Sequence, residues 1–183
     1  MNASNCFFRL VLRLTLPALV LISCEALRPI SSTTPARKPV ESSSGAVGSS
    51  AEARTRTQVV ALAQEQLGVD YKYAGRDPRS GFDCSGFTRY VLNQVGVSLA
   101  ASSQTQINNG RPRNLDAVQP GDLLFFRRSS SEPIFHVALV VKNDRNGIEV
   151  IHSTTSRGVV RDNISRSTYW APKLTAARNV ISR

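Results

Sequence analysis

The spacing of apolar residues changes from helical to strand-like at the turn sequence Gln119-Pro120-Gly121-Asp122. Before this turn, helical periodicity predicts three helices, over 57–67, 84–95 and 103–109. After it, short runs rich in β-branched and aromatic residues predict five strands, over 123–126, 136–142, 148–153, 159–161 and 176–181. Helices followed by strands predict an α+β domain in which N-terminal helices pack on an antiparallel β-sheet of five to six strands.

The first 55 residues lack the patterns of a folded domain. Arg9 and Arg13 precede an apolar run over 14–22 that is too short to cross a bilayer, which predicts a signal peptide over 1–23. Over 25–55, 20 of 31 residues are Ser, Thr, Pro, Gly or Ala and none is aromatic, which predicts a flexible spacer. We therefore divide the chain into a signal peptide (1–23), an anchor with its spacer (24–55) and one folded domain (56–183).

The three cysteines have different predicted roles. Cys6 lies in the signal peptide, and Cys24 ends the segment Leu21-Ile22-Ser23-Cys24, which resembles the lipobox of bacterial lipoproteins. That pattern predicts cleavage before Cys24 and lipid attachment to it; the alternative is an ordinary secretory signal in which Cys24 is incidental. Cys84 is then the single free thiol of an exported protein, which is either a buried packing residue or a reactive group.

The formal net charge of +10, from 23 basic and 13 acidic residues, would suit nucleic acid, a membrane surface or an anionic cell-wall polymer. The basic residues are dispersed and no aromatic stacking stripe accompanies them, so we predict no nucleic-acid binding. For an exported protein the charge indicates adaptation to an anionic wall, and it predicts an activity that falls as salt rises.

Cys84 opens the second predicted helix, where the positive end of the helix dipole favours a thiolate, so a lowered cysteine pKa is expected. Gly81 and Gly86, on either side of Cys84, are expected to permit a tight turn and the close approach of a substrate backbone. His136 and His152 lie on two strands, and a hairpin centred on Asp144 would set them opposite each other; an even number of loop residues would instead place them on opposite faces. These residues predict a Cys–His nucleophilic site in which one imidazole holds the other.

A structural zinc site is disfavoured, because Cys84, His136 and His152 are separated by 52 and 16 residues rather than occurring as close-spaced pairs. We therefore predict no metal site.

Five short motifs resemble those of the NlpC-type cell-wall cysteine endopeptidases, a papain-like group. They are Tyr71-Lys72-Tyr73-Ala74-Gly75, Gly81-Phe82-Asp83-Cys84-Ser85-Gly86-Phe87, Pro120-Gly121-Asp122-Leu123, His136-Val137-Ala138-Leu139-Val140 and Ile151-His152-Ser153. The resemblance implies a papain-like fold and hydrolysis of an amide bond in peptidoglycan stem peptides, either between D-glutamate and a diamino acid or at the cross-link. One departure is Ala74, where relatives commonly carry glycine.

By this resemblance Cys84 is the nucleophile, His136 the general base and then acid, and His152 the group that orients His136. The resemblance also implies that no cofactor is needed. Tyr71, Asp83 and Ser85 would line the substrate cleft. The expected protein is a monomeric, lipid-anchored enzyme of the bacterial cell envelope that faces the periplasm or the exterior. Two alternatives stay open: a catalytically silent wall-binding lipoprotein, and an amidase or acyltransferase on the same scaffold.

Overall fold

A computed structural model of the chain describes residues 44–182. The predicted signal peptide, the predicted lipidation site Cys24 and residues 25–43 of the predicted spacer lie outside the described residues, so these assignments stay predictions. Within 44–182 the structure contains no helix whose length and hydropathy would let it cross a membrane.

Within residues 44–182 the α-helices precede every strand of the main sheet, which confirms the predicted α+β class. The α-helices are α1 (Ser44–Gln64), α2 (Cys84–Asn93) and α3 (Ser103–Gln106). The strands are β1 (Arg76–Asp77), β2 (Gly81–Phe82), β3 (Arg111–Arg113), β4 (Leu123–Phe126), β5 (His136–Asp144), β6 (Gly147–Thr154), β7 (Gly158–Asn163) and β8 (Leu174–Asn179). Three single 3₁₀ turns occur at Leu115–Ala117, Ile164–Arg166 and Ala171–Lys173.

Six strands form one antiparallel sheet in the order β3-β8-β4-β5-β6-β7, while β1 and β2 pair separately as a short hairpin. Strand β4 is buried along its whole length because its two faces meet two apolar clusters. Leu123 and Phe125 join the cluster under α1 and α2, whereas Leu124 and Phe126 join the cluster on the opposite face. The sheet is therefore the central layer, with a different packing partner on each side.

Helix α2 is held to the sheet by its apolar face. Phe87, Val91 and Leu92 are fully buried against the sheet residues Val137 and Leu139. Burying a large apolar side chain contributes about 1.5–3 kcal/mol, so these contacts fix where α2 begins as well as how it packs. The start of α2 is consequently placed next to the start of β5.

Helix α1 begins at Ser44, thirteen residues before the predicted start at Thr57, so the assignment of residues 44–55 to a flexible spacer is wrong. Alanine, glutamate and arginine in this stretch favour a helix, and tertiary contacts hold it in place. Arg56 binds Glu52 within the helix and reaches Asp122 in the turn before β4, with its Nη1 2.9 Å from the Asp122 carboxylate. In this stretch an ion pair, rather than a periodic apolar face, holds the helix on the domain, so apolar periodicity does not reveal the helix.

Strand β3 was not predicted, because Arg111-Pro112-Arg113 has no apolar alternation. It occupies one edge of the sheet and pairs only with β8. Proline lacks an N–H group and is tolerated at such an edge.

Candidate active site

Cys84 is the first residue of α2, as predicted, and Asp83 is the N-cap. The Asp83 carboxylate accepts hydrogen bonds from the backbone N–H of Gly86 at 2.6 Å and from the hydroxyl of Ser85 at 2.8 Å. An N-cap of this kind satisfies one of the N–H groups that lack helical partners, and it typically stabilises a helix by about 1 kcal/mol. The residues around Cys84 therefore stabilise a helix that begins at this cysteine.

Gly86 packs against another segment of the protein. A Cβ atom on Gly86 would lie 1.9 Å from the carbonyl oxygen of Gly75, so the loop of residues 71–75 packs directly on the first turn of α2. The carbonyl of Gly75 also accepts from the backbone N–H of Asp83 at 3.1 Å. In the same loop Ala74 has a φ of +55°, a left-handed conformation that favours glycine.

The prediction of a lowered pKa for Cys84 is wrong. Burial raises the pKa of this thiol to about 11, and the neighbouring Asp83 carboxylate acts in the same direction. Backbone N–H groups of Val137, Ser85 and Cys84 oppose this shift without overcoming it. The helix terminus therefore does not produce a resting thiolate, and the thiol needs a base when it reacts.

The hairpin between β5 and β6 places His136 and His152 diagonally rather than directly opposite each other. Asp144 pairs with Gly147 across a two-residue turn, the even loop length that would put the two histidines on opposite faces. A β-bulge between Val140 and Lys142 shifts the register by one residue. Beyond the bulge Leu139 pairs with Ile151, so the two histidines return to the same face of the sheet.

The two rings are hydrogen-bonded, with 3.0 Å between His136 Nε2 and His152 Nδ1. The other nitrogen of His152, Nε2, lies 3.0 Å from Oδ2 of Asp162 on β7. Arg157, in the turn that precedes β7, binds both oxygens of that carboxylate. Four side chains thus form a continuous polar chain that ends beside Cys84.

The pKa of His136 lies well below 6.5, first because the ring is buried and second because His152 is adjacent. The pKa of Asp162 is held well below its ordinary value by hydrogen bonds from His152 and Arg157. A neutral imidazole and an ionised carboxylate are therefore the resting forms of these two groups near neutral pH.

Aromatic side chains fix the histidine rings from one side. Trp170 stacks on His136, with 4.5 Å between ring centroids and 28° between planes, and it also lies 5.0 Å from the ring of His152. Phe126 and Phe135 contact both Trp170 and His136. Because Trp170 supplies buried apolar surface, it contributes to keeping His136 neutral.

The site opens into a cleft of about 720 Å³. Cys84, His136 and Tyr71 line it, and three arginines contribute positive charge: Arg128, Arg157 and Arg166. Asp83 and Ser85, which were predicted to bind substrate, do not line this cleft and are engaged with each other at the helix start. Among residues 44–182, no group of three or more His, Cys, Asp or Glu side chains is arranged to hold a metal ion.

Residues 68–179 match the NlpC/P60 family. The chain belongs to this family. The match contains all three residues of the predicted Cys–His–His set, and it ends at the last residue of β8.

Several members of the NlpC/P60 family are similar in sequence. The γ-DL-glutamyl hydrolase of Bacillus subtilis is 35% identical over 133 residues, which cover 71% of this chain but 31% of that protein. The probable endopeptidase NlpC of Escherichia coli is 32% identical over 127 residues, or 67% of this chain and 79% of that protein. The chain matches only 19% of the probable endopeptidase p60 of Listeria grayi, so the larger relatives extend well beyond the shared domain.

Solved NlpC/P60 structures confirm the papain-like NlpC-type fold. The NlpC/P60 domain of the peptidoglycan hydrolase SagA superposes with a TM-score of 0.57 at 31% identity, covering 68% of this chain and 97% of that one. A family protein from Bacillus cereus gives a TM-score of 0.63 at 26% identity, covering 69% of this chain and 40% of that one.

Sequence reasoning missed Asp162, Arg157 and Trp170. None of them lies in a recognised motif. Asp162 could have been found only from the strand register, because it lies two residues beyond Val160, which pairs with His152.

Proposed function

We propose that this domain hydrolyses an amide bond in peptidoglycan stem peptides by a cysteine-nucleophile mechanism. The observation that carries the proposal is the cleft shared by Cys84 and His136, in which His136 is held through Nε2 by His152. The names of similar proteins support the substrate class, since they include probable endopeptidases, a γ-DL-glutamyl hydrolase and a peptidoglycan hydrolase. A D-glutamyl–diamino acid bond or a cross-link is the proposed scissile bond.

The proposed reaction starts from a thiol and a neutral imidazole. Because His136 Nε2 faces His152, Nδ1 is the nitrogen that takes the proton from the Cys84 thiol as sulfur attacks the carbonyl carbon. The same proton then passes to the leaving amine, whose release leaves a thioester. Water, deprotonated by His136, attacks the thioester, and the products are a carboxylate and the regenerated thiol.

The oxyanion of each tetrahedral intermediate would be stabilised by the backbone N–H of Cys84. As the first residue of α2, Cys84 has an N–H that makes no intrahelical hydrogen bond, and the helix dipole adds positive potential there. One such donor typically contributes about 2.7–4 kcal/mol to transition-state stabilisation.

The charge of the cleft supports an anionic substrate. Among residues 44–182, Arg128, Arg157 and Arg166 line it together with one carboxylate, that of Asp162, which Arg157 already neutralises. Stem peptides carry free carboxylates next to the bonds proposed for cleavage, so two uncompensated arginines favour their binding.

For the chain as a whole we propose attachment to a membrane of the bacterial envelope through a lipid on Cys24. The support is the sequence pattern that ends at this cysteine. Cys24→Ala should release the protein into the soluble fraction, whereas membrane retention of that variant would contradict the anchor.

The test of the reaction is mass spectrometry of muropeptides after digestion of purified peptidoglycan in H₂¹⁸O. Wild type should release peptides with one ¹⁸O in a new carboxylate, and Cys84→Ala should lower the rate at least about 1000-fold. Glu149→Gln, a surface change outside the cleft, serves as the matched control. Equal digestion by Cys84→Ala would reject the mechanism, binding without cleavage would favour the silent lipoprotein, and products joined to an added amine would favour an acyltransferase.

A further inference from the structure

We propose that Asp162 and Arg157 are positioning residues that fix the tautomer and orientation of His152 and, through it, those of His136. This proposal rests on the proposed function and extends the three-residue set to a chain of five side chains. Neither residue was predicted from the motifs.

The geometry supports a specific role for Asp162. It lies two residue pairs along the ladder from His152 on the same face of the sheet, which is the diagonal arrangement that long side chains can bridge. His152 is completely buried, and its Nε2 meets the carboxylate oxygen at 3.0 Å. A buried ring nitrogen without such a partner would carry a desolvation penalty.

The hydrogen-bond chemistry leaves one assignment for a neutral His152. An ionised carboxylate only accepts hydrogen bonds, so Nε2 of His152 must carry the proton that faces Asp162. Its Nδ1 then has a lone pair and accepts from Nε2–H of His136, 3.0 Å away. His136 consequently carries its lone pair on Nδ1, the nitrogen that the mechanism requires as base.

Arg157 keeps Asp162 in this role. Its guanidinium binds Oδ1 through Nη1 at 3.0 Å and contacts Oδ2 through Nη2, a two-point arrangement that fixes the plane of the carboxylate. The negative charge of the carboxylate also stabilises the positive charge that forms on the histidine pair when Cys84 loses its proton. Among the described residues, the ionisable groups that contact this pair or line the cleft with it are Tyr71, Cys84, Arg128, Arg157, Asp162, Arg166 and Tyr169.

A purely structural reading would treat Asp162–Arg157 as one more ion pair across neighbouring chain segments. The same two strands provide a comparison, since Arg161 on β7 binds Glu149 on β6 with Nε 2.7 Å from Oε2. This second pair is exposed and does not touch either histidine. Glu149→Gln therefore removes a similar ion pair without disturbing the polar chain.

The kinetic test compares Asp162→Asn, Asp162→Ala and Glu149→Gln with wild type on one muropeptide substrate. We expect both Asp162 variants to lose about 10- to 100-fold in kcat with little change in KM, because a charge-assisted hydrogen bond is lost behind the base. Without the carboxylate the protonated histidine pair is less stable, so the acidic limb of the kcat/KM profile should move to lower pH. Glu149→Gln should keep the wild-type kcat and profile.

Asp162 variants within about twofold of wild type in kcat, with an unshifted profile, would overturn the proposal. So would losses matched by Glu149→Gln. Thermal melting separates these outcomes from misfolding.

A substrate-free measurement keeps the test valid if the variants do not fold or the substrate is misidentified. Two-bond ¹H–¹⁵N correlations of wild-type protein should show His152 protonated at Nε2 and His136 protonated at Nε2 near neutral pH. The opposite tautomer of His152 would overturn the positioning role, whatever bond the enzyme cuts. Conversely, the expected tautomers without peptidoglycan cleavage would leave the positioning role intact and reject the proposed function.

Discussion

Asp122 and Asp162 are both bound by arginine side chains, yet their surroundings differ in one decisive respect. Asp122 is completely buried, pairs with Arg56 at 2.9 Å and Arg113 at 3.2 Å, and accepts from the backbone N–H of Gln119. Asp162 pairs with Arg157 and His152 and begins a chain that continues to His136. The first network ends on arginines, which cannot give up their protons, whereas the second ends on an imidazole that can accept one.

The difference shows how the same ion-pair chemistry serves two purposes. We call the network around Asp122 closed, because it ends on arginines that keep their protons. It joins α1, β3 and the turn before β4. The open network, around Asp162, ends in His136, which can change its protonation state and shares a cleft with the Cys84 thiol. We expect changes in the first network to alter stability alone and changes in the second to alter turnover or its pH dependence.

The largest expected effect on stability comes from Asp122→Asn. Removing this charge leaves the guanidiniums of Arg56 and Arg113 without a carboxylate between them, so we expect a loss of about 2–4 kcal/mol in the free energy of unfolding. Urea unfolding measures it, with Asp144→Asn at the exposed β5–β6 turn as the control that should change far less. A large loss of kcat in folded Asp122→Asn protein would break the distinction between the two networks.

The pH dependence of stability should come from the open network and its thiol. The pKa of His136 lies well below 6.5 in the fold, so below about pH 6.5 the unfolded chain binds a proton that the native protein does not, and stability falls. The pKa of Cys84 is about 11, against an ordinary 9.0, so above about pH 9 the unfolded chain loses its proton first and stability falls again. Stability should therefore be highest between these limits.

Urea titrations across this range test both limbs. Cys84→Ala should abolish the part of the alkaline loss that arises from the thiol and leave the acidic limb unchanged. An unchanged alkaline limb in this variant would show that burial does not protect the thiol.

The cleft should respond to salt in a way that the closed network does not. Arg128, whose guanidinium lies 4.3 Å above the Phe135 ring, lines the cleft and is exposed. We expect Arg128→Ala to raise KM for an anionic stem peptide about two- to fivefold at low salt, with kcat unchanged, and the difference should shrink as salt screens the charge. Arg145→Ala, at the tip of the β5–β6 hairpin, is the matched control, and an equal effect there would indicate net charge rather than the cleft.

The smallest expected effect lies in the loop beside the thiol. Ala74 has a φ of +55°, so Ala74→Gly should stabilise the fold by about 0.5–1 kcal/mol after the extra freedom of glycine in the unfolded chain is counted. The same substitution at exposed Ala53 in α1 should have the opposite sign. A stabilised Ala74→Gly variant with altered kcat would show that this strain belongs to the site.

Much of the fold followed from apolar periodicity, because most elements bury one face. Strand β4 was predicted with its observed ends, and the remaining predicted strands were displaced by only one or two residues. The failures occur where a long-range polar contact replaces that signal. The first three turns of α1 depend on Arg56 reaching Asp122, and β3 depends on pairing at a sheet edge.

For the candidate site, the sequence predicted the residue types better than their physical state. The helix start at Cys84 was predictable from Asp83, but the burial that raises the pKa of the thiol comes from packing against other segments. Asp162 became visible only once β6 and β7 were aligned. The diagonal arrangement of the two histidines depends on a β-bulge that no local sequence pattern predicts.

The bulge in β5 also suggests where the protein can be altered by design. Pairing in the core, such as Leu139 with Ile151, holds the histidines, while the residues beyond the bulge follow a separate register that ends at the exposed turn Arg145-Asn146. Because a register shift already separates these two parts of the hairpin, extra residues inserted at the turn need not change the strand pairing that holds the histidines. That turn is still connected to the rim of the cleft, because Asn146 accepts hydrogen bonds from the cleft residues Asn163 and Arg166, so a fluorescent label placed there would report on the rim of the cleft.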